Sequence, residues 1–177
     1  SLNGDEAVKI TNVTDHWGVL VVAGPRSREV LAQLTDSDLG NDSFRWLTGK
    51  EIDIAGVPLR ALRVNYVGEL GWELHCPMDR LAELYDAVWS AGEAYGIANF
   101  GVYAVNSLRM EKAYKGWGAE LTNEITMIEA GMGRFVDFDK GDFVGRQALL
   151  DRQSNGIDLE LVYLEIDATD ADALGNE

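Results

Sequence analysis

Residues 17–23, Trp-Gly-Val-Leu-Val-Val-Ala, run without a polar side chain. The run has the length of a strand and is too short for a buried helix, so it predicts a buried strand. Gly24 and Pro25 stop it. Proline suits a first helical turn, and residues 26–34 predict a short helix with Val30, Leu31 and Leu34 inward. Residues 35–43 are polar and acidic and predict a loop. Residues 50–54 and 57–64 flank Ala55 and Gly56, a two-residue hairpin signal. A further strand is expected at 72–76. In 79–91, Leu81, Leu84, Tyr85, Val88 and Trp89 recur as one helical stripe. A weak alternation at 8–12 predicts one more strand ahead of the first.

The pattern changes after residue 100. A helix is expected over 103–113 with Val105 and Leu108 on one side, then a glycine-rich mixed stretch over 117–132 and a short helix over 146–152. Residues 153–158 read as a linker. Residues 159–167 alternate cleanly and predict an antiparallel strand. The acidic, small-residue stretch 168–177 is expected to fray. Strands with helices gathered on one face predict an α+β fold, an antiparallel sheet with covering helices. The expected division is an α+β subdomain over 1–100, a helical and irregular segment over 101–152 that completes it, and the start of a C-terminal β domain over 153–177. A lone strand is not stable by itself, so the chain is expected to be a fragment of a longer one.

Charge narrows the function. The 177 residues carry a net charge of −15, which disfavours nucleic acid and anionic membrane surfaces as partners. No apolar run reaches the length of a membrane span. Cys76 is the single cysteine. It rules out an internal disulfide and a cysteine-based zinc site, and is expected to be a small buried hydrophobe in a reducing compartment. His16 and His75 are too scattered to form a metal cluster. Neither a Gly-x-Gly-x-x-Gly turn after the first strand nor a Gly-x-Ser-x-Gly elbow is present.

Candidate chemistry gathers in the turn before the 72–76 strand. It offers a phenol at Tyr66, carboxylates at Glu69 and Glu73, and glycines at 68 and 71. Glycine lets a backbone or ligand approach closely. A tyrosine ring stacks on flat ligands, and a carboxylate accepts two parallel N–H bonds. On the residues alone, an ordinary hairpin with a surface acid explains the turn as well. Strand alternation places Glu73 and His75 on one face and Trp72 and Leu74 on the other. His75 then reads either as a ligand partner or as a half-exposed strand histidine. Arg109 and Glu111 point apart on their helix, and for Arg109 the ordinary reading is a surface or interdomain salt bridge.

Residues 66–73 read Tyr-x-Gly-Glu-x-Gly-aromatic-Glu. Ala-Val-Asn-Ser-Leu-Arg-Met-Glu-Lys follows at 104–112, then Gly-Trp-Gly at 116–118. Ile-Glu-Ala-Gly-Met-Gly-Arg-Phe stands at 128–135 and Lys-Gly-Asp-Phe-Val-Gly-Arg at 140–146. In this order the blocks resemble the glycine cleavage T-protein (aminomethyltransferase) family, and within it the T-protein-like region of dimethylglycine and sarcosine dehydrogenases. The resemblance implies a T-protein-like folate-binding fold. It also implies the tetrahydrofolate-binding region of a one-carbon-transfer enzyme, one that captures methylene from oxidative demethylation or transfers an aminomethyl group. Tyr66, Glu73, His75 and Arg134 are its implied folate-binding residues.

The resemblance places the catalytic aspartate upstream, so no catalytic residue is expected on this chain, and full activity is not expected from it in isolation. FAD is implied only in a separate domain of the parent, whose partners would be folate and a small N-methylated amine or aminomethyl donor. Contact with a flavin domain or self-association is also expected, in a bacterial cytoplasm or a mitochondrial matrix. The family pattern Ala-Arg-Asp-x-Leu-Arg-Leu-Glu departs here to Val105 and Asn106, which favours the dehydrogenase branch over the plain aminomethyltransferase. The alternative is a non-catalytic T-protein-like regulatory or interaction domain.

Overall fold

A computed structural model describes residues 7–165 and 167. The chain divides into two compact units, Ser1–Tyr114 and Lys115–Glu177. Four strands build the first: β1 (Trp17–Ala23), β2 (Gly49–Ile54), β3 (Val57–Leu62) and β4 (Gly71–Pro77). Their order in the sheet is β1-β4-β3-β2, with every neighbouring pair antiparallel. The helices of this unit are α1 (Ser27–Leu31), α2 (Leu81–Gly92) and α3 (Val102–Glu111). The fold is α+β, as expected.

The β2–β3 hairpin turns at Ala55 and Gly56, both at positive φ (54° and 79°). Two positive φ values in a two-residue loop match the right-handed twist of the strands. Asp53 Oδ1 accepts the Gly56 N–H at 2.7 Å, and Ala55 N–H donates to Leu34 O at 2.7 Å.

Period-two alternation gives the sheet an apolar inner face. Val22 of β1, Ile54 of β2, Val57, Leu59 and Ala61 of β3, and Trp72, Leu74 and Cys76 of β4 belong to one core cluster, with the half-buried Leu20 packed against it. Val30 and Leu31 of α1 and Leu84 and Val88 of α2 complete it. Burial pushes the Cys76 thiol pKa up, which suits a packing role. Of the α2 stripe, Leu84 and Val88 are buried, while Tyr85 is exposed and stacks on Trp89 with ring centroids 5.9 Å apart.

Several expectations change here. The 8–12 alternation forms no strand; Val8 and Ile10 are exposed. Isolated from any ladder, a short alternating run has nothing to pair with. The strand at 17–23 forms, but at the sheet edge, with Val19 and Val21 46% and 43% exposed. α1 is shorter than expected and ends at Leu31.

The loop between α1 and β2 folds over the inner face. Arg28 Nε donates to Leu39 O at 3.0 Å, and the Arg28 and Arg63 Nη2 groups each donate to Asn41 Oδ1 at 2.7 Å. Arg63 Nη1 donates to Phe44 O. Both guanidiniums lie 5.8 Å from the Trp72 ring centroid, and Phe44 meets that ring edge-on at 6.3 Å. Burial and the neighbouring Arg28 charge lower the Arg63 pKa.

In the second unit, α4 (Arg146–Asn155) runs beyond the expected end at residue 152. Its Arg152 meets the buried Glu129 carboxylate at 2.9 Å. Glu129 also accepts the Thr126 N–H at 2.7 Å. The described part of 159–167 forms no strand; Leu161 N–H donates to Glu129 O at 3.0 Å, and Ile166 lies outside the described residues.

Two outcomes follow. Leu84→Ala is expected to cost about 2–5 kcal/mol of stability by leaving a cavity between α2 and the sheet, measured by urea unfolding. In the second unit, the Thr126 amide and hydroxyl, with the Arg152 charge, hold the Glu129 pKa below its ordinary value. Its stabilising effect is therefore present above the ordinary carboxylate range and is lost as pH falls through the lowered value. Glu129→Gln is expected to flatten that acid-side loss in a pH series of melting curves.

Candidate functional site at the β3–β4 connection

The connection from Leu62 to Gly71 is longer than a tight hairpin, and one side chain organises it. Asn65 Oδ1 accepts the backbone N–H groups of Val67 at 3.0 Å and Glu69 at 3.3 Å, while its Nδ2 donates to Glu69 O. Such local bonds let an asparagine substitute for a backbone turn. Gly68 sits at φ 72°, and an added Cβ would meet Lys112 Cγ at 2.4 Å. Leu70 O accepts from Gly24 N–H at 2.8 Å and Ser27 Oγ at 3.0 Å, which ties the loop's end to the start of α1.

The loop packs against the end of α3. Tyr66 is 41% exposed, and its ring stacks on Tyr114 with centroids 6.4 Å apart and planes 30° from parallel. Glu69 and Lys112 stand 3.8 Å apart. Arg109 explains the position of Tyr114. It was expected on the surface and is instead 6% exposed. Its Nε and Nη2 donate to Asn106 Oδ1 at 2.9 and 2.7 Å, and its Nη1 donates to Tyr114 O at 2.9 Å. A guanidinium so buried keeps its place through such bonds. Asn106, which departs from the family pattern, is therefore the acceptor that orients Arg109.

Glu73 and His75 lie together on the open face of the sheet, as alternation requires, while Trp72 and Leu74 are fully buried beneath. Glu73 is flanked by Val21 of β1 and Leu62 of β3, and His75 by Val19 and Arg60. Glu73 Oε2 lies 3.1 Å from His75 Nε2, with each side chain about 30% exposed. A carboxylate braced through one oxygen keeps its remaining lone pairs for a planar N–H edge. Arg60 pairs with Glu51 at 3.2 Å and stands 5.3 Å from the Trp17 ring, so its charge is already engaged.

Arg134 belongs to the second unit. It lies in a single 3-10 turn, Gly133–Phe135, with its guanidinium 4.8 Å from the Phe135 ring centroid. Among the described residues, no group of His, Cys, Asp and Glu suits a metal ion. Sequence reasoning missed Asn65 and Tyr114. The first had a readable signal, an asparagine two residues ahead of a glycine-bearing turn. The second depends on a contact across 48 positions that no local pattern encodes.

An antiparallel sheet with packed helices, and a glycine-bearing connection that leads to an acid on the open face, define an α+β domain. The chain belongs to the family described as GCVT N-terminal domain, which matches residues 1–140. It is 44% identical over 178 residues to dimethylglycine dehydrogenase, mitochondrial, of Homo sapiens, a match spanning 100% of this chain and 21% of that protein. It is 39% identical over 159 residues to the aminomethyltransferase of Caldanaerobacter subterraneus subsp. tengcongensis, across 90% of this chain and 42% of that protein. It is 35% identical over 160 residues to sarcosine dehydrogenase, mitochondrial, of Mus musculus, across 90% of this chain and 17% of that protein. The chain thus spans about a fifth of the dimethylglycine dehydrogenase it matches.

Asn65→Ala removes the loop's organising bonds. It is expected to speed amide exchange at Val67 and Glu69 while leaving the β1–β4 ladder protected. Exchange followed by NMR checks this; unchanged protection at both amides would show that the loop is held by other means.

Proposed function

We propose that this chain is the tetrahydrofolate-binding region of a one-carbon-transfer enzyme of the dimethylglycine or sarcosine dehydrogenase type. The observation that carries the reading is the Glu73 carboxylate, presented on the open sheet face and braced by His75 at 3.1 Å. The aminopyrimidine edge of a pterin offers adjacent N–H donors, and a carboxylate matches such an edge as it matches guanidinium. In this proposal Glu73 accepts that edge, His75 orients the carboxylate, and Tyr66 supplies an aromatic wall, with Tyr114 stacked behind it. Arg134 is proposed, on its place in the third sequence block, as a cation for the folate's own negative charge.

The region's contribution is to bind and orient, so that a reactive one-carbon unit meets its acceptor within the protein rather than in solution. The residue types present suit a pterin: an aromatic ring at Tyr66 and an acceptor for N–H groups at Glu73. Flavin chemistry is assigned to another domain of the full-length protein, and the amine substrate is proposed to be dimethylglycine or sarcosine. A mitochondrial matrix or a bacterial cytoplasm suits this chemistry. Among the described residues no helix is long and apolar enough to cross a membrane.

Glu73→Gln keeps the size, removes the charge and turns one acceptor into a donor. Losing a charge-assisted bond and stranding a buried donor is expected to cost about 2–3 kcal/mol. That weakens the tetrahydrofolate dissociation constant roughly thirty- to a hundredfold. Titrating the full-length protein and the variant measures this, and a formaldehyde assay follows the escape of uncaptured one-carbon units. Equal affinity in the variant would remove Glu73 from the site; no binding by the full-length protein would remove the folate reading and favour an interaction domain.

A further inference from the structure

The last turn of α4 ends on a side-chain amide placed to react with the backbone beside it. Asn155 closes the helix and Gly156 follows it. Both are exposed. The residue after each of α1, α2 and α3 donates its backbone N–H to a helix carbonyl: Ala32 to Arg28 O, Glu93 to Trp89 O and Lys112 to Arg109 O. Among the described residues Gly156 N–H makes no such bond, and the Asn155 side chain has no hydrogen-bond partner. Gly156 lies at φ 86° and ψ 170°, so the chain leaves the helix there. A Cβ added to it would meet nothing within 4 Å, and glycine itself has no side chain to obstruct an approach to its nitrogen. The helical backbone of Asn155 holds Gly156 N away from Cγ, and fraying of the last turn is enough to release it.

We propose that Asn155 is a site of spontaneous deamidation through a succinimide. Hydroxide removes the Gly156 amide proton, and the nitrogen attacks Asn155 Cγ. The N–Cγ bond forms and the Cγ–Nδ2 bond breaks. The side-chain nitrogen takes a proton from water and leaves as ammonia, which returns the hydroxide. Water then opens the ring at either carbonyl. Opening at the main-chain carbonyl leaves the chain running through Cγ as isoaspartate, and opening at Cγ leaves aspartate. The sum is one water consumed and one ammonia released, with no oxidant required. The product places a carboxylate at the C-terminal end of a helix, where the macrodipole disfavours it. It stands one helical turn from Arg152, whose guanidinium holds the buried Glu129 at 2.9 Å and reaches Asp158 at 3.7 Å. Isoaspartate also lengthens the main chain ahead of Leu161, whose N–H donates to Glu129 O at 3.0 Å. Deamidation therefore loosens the hold of α4 and the segment after it on Glu129.

The test incubates the full-length protein at neutral and mildly alkaline pH and follows each asparagine by peptide mass mapping. An isoaspartyl methyltransferase serves as the probe for the rearranged product. Asn65 and Asn106 are the internal controls, because their side chains are hydrogen-bonded and Tyr66 and Ser107 follow them. Asn155 is expected to lose its amide at least about tenfold faster than either, since only its successor lacks a Cβ. The rate should rise with hydroxide, and isoaspartate should appear at Asn155. Asn155→Gln, whose cyclisation needs a larger ring, is expected to keep its amide. After equal incubation, the Leu161 amide of the converted parent should exchange about tenfold faster than that of Asn155→Gln. An Asn155 that keeps its amide as long as Asn65 and Asn106 do would overturn the proposal. So would aspartate without isoaspartate, because direct hydrolysis gives that product alone. Equal exchange at Leu161 in the two proteins would overturn the coupling to Glu129. None of these readouts depends on folate, so failure here is separable from failure of the Glu73 assignment.

Discussion

The register of β4 depends on the burial of Trp72. Its indole is fully enclosed between Phe44, edge-on at 6.3 Å, and the guanidiniums of Arg28 and Arg63, each 5.8 Å from the ring. Side chains alternate along a strand, so a slip of one residue would drive Glu73 and His75 into the apolar layer and expose Trp72 and Leu74. Burying a lone carboxylate there is far costlier than any gain from the exchange. The inward tryptophan thereby delivers the acid outward. The neighbouring pairs Val21↔Glu73 and Glu73↔Leu62 then fix which side chains surround it.

Arginines do most of the positioning around this sheet, and they do it through carbonyls and amides. Arg28 and Arg63 converge on Asn41 and on the Leu39 and Phe44 carbonyls, closing the α1–β2 loop over the core. Arg109 performs the same service at the end of α3, where its bond to Tyr114 O places the ring on which Tyr66 stacks. Planar guanidinium forks suit such multi-acceptor anchoring better than lysine does. Arg109 thus acts on the Tyr66 loop through Tyr114.

Legibility in the sequence followed the range of the interaction. The hairpin at Ala55 and Gly56, the strand at Trp17–Ala23, the α2 stripe and the Glu73/His75 face all rest on spacing, and the structure has them. What spacing cannot report is partnership. It gave no sign that β1 stands at an edge, that Arg109 is buried, or that Tyr66 meets Tyr114. The alternations at 8–12 and 159–167 form no strand among the described residues, because alternation is a necessary condition for a half-buried strand and pairing supplies the rest. The surface reading of Arg109 failed for a related reason: a mid-helix arginine shows no local sign of the carbonyl it will reach.

The most direct measurement is a structure of the full-length protein soaked with tetrahydrofolate. The account predicts the pterin on the open face of the sheet, its aminopyrimidine N–H edge within about 2.7–2.9 Å of the Glu73 carboxylate, with His75 still bonded to the other side of that group. A pterin seated elsewhere, with Glu73 and His75 unchanged and facing solvent, would contradict it.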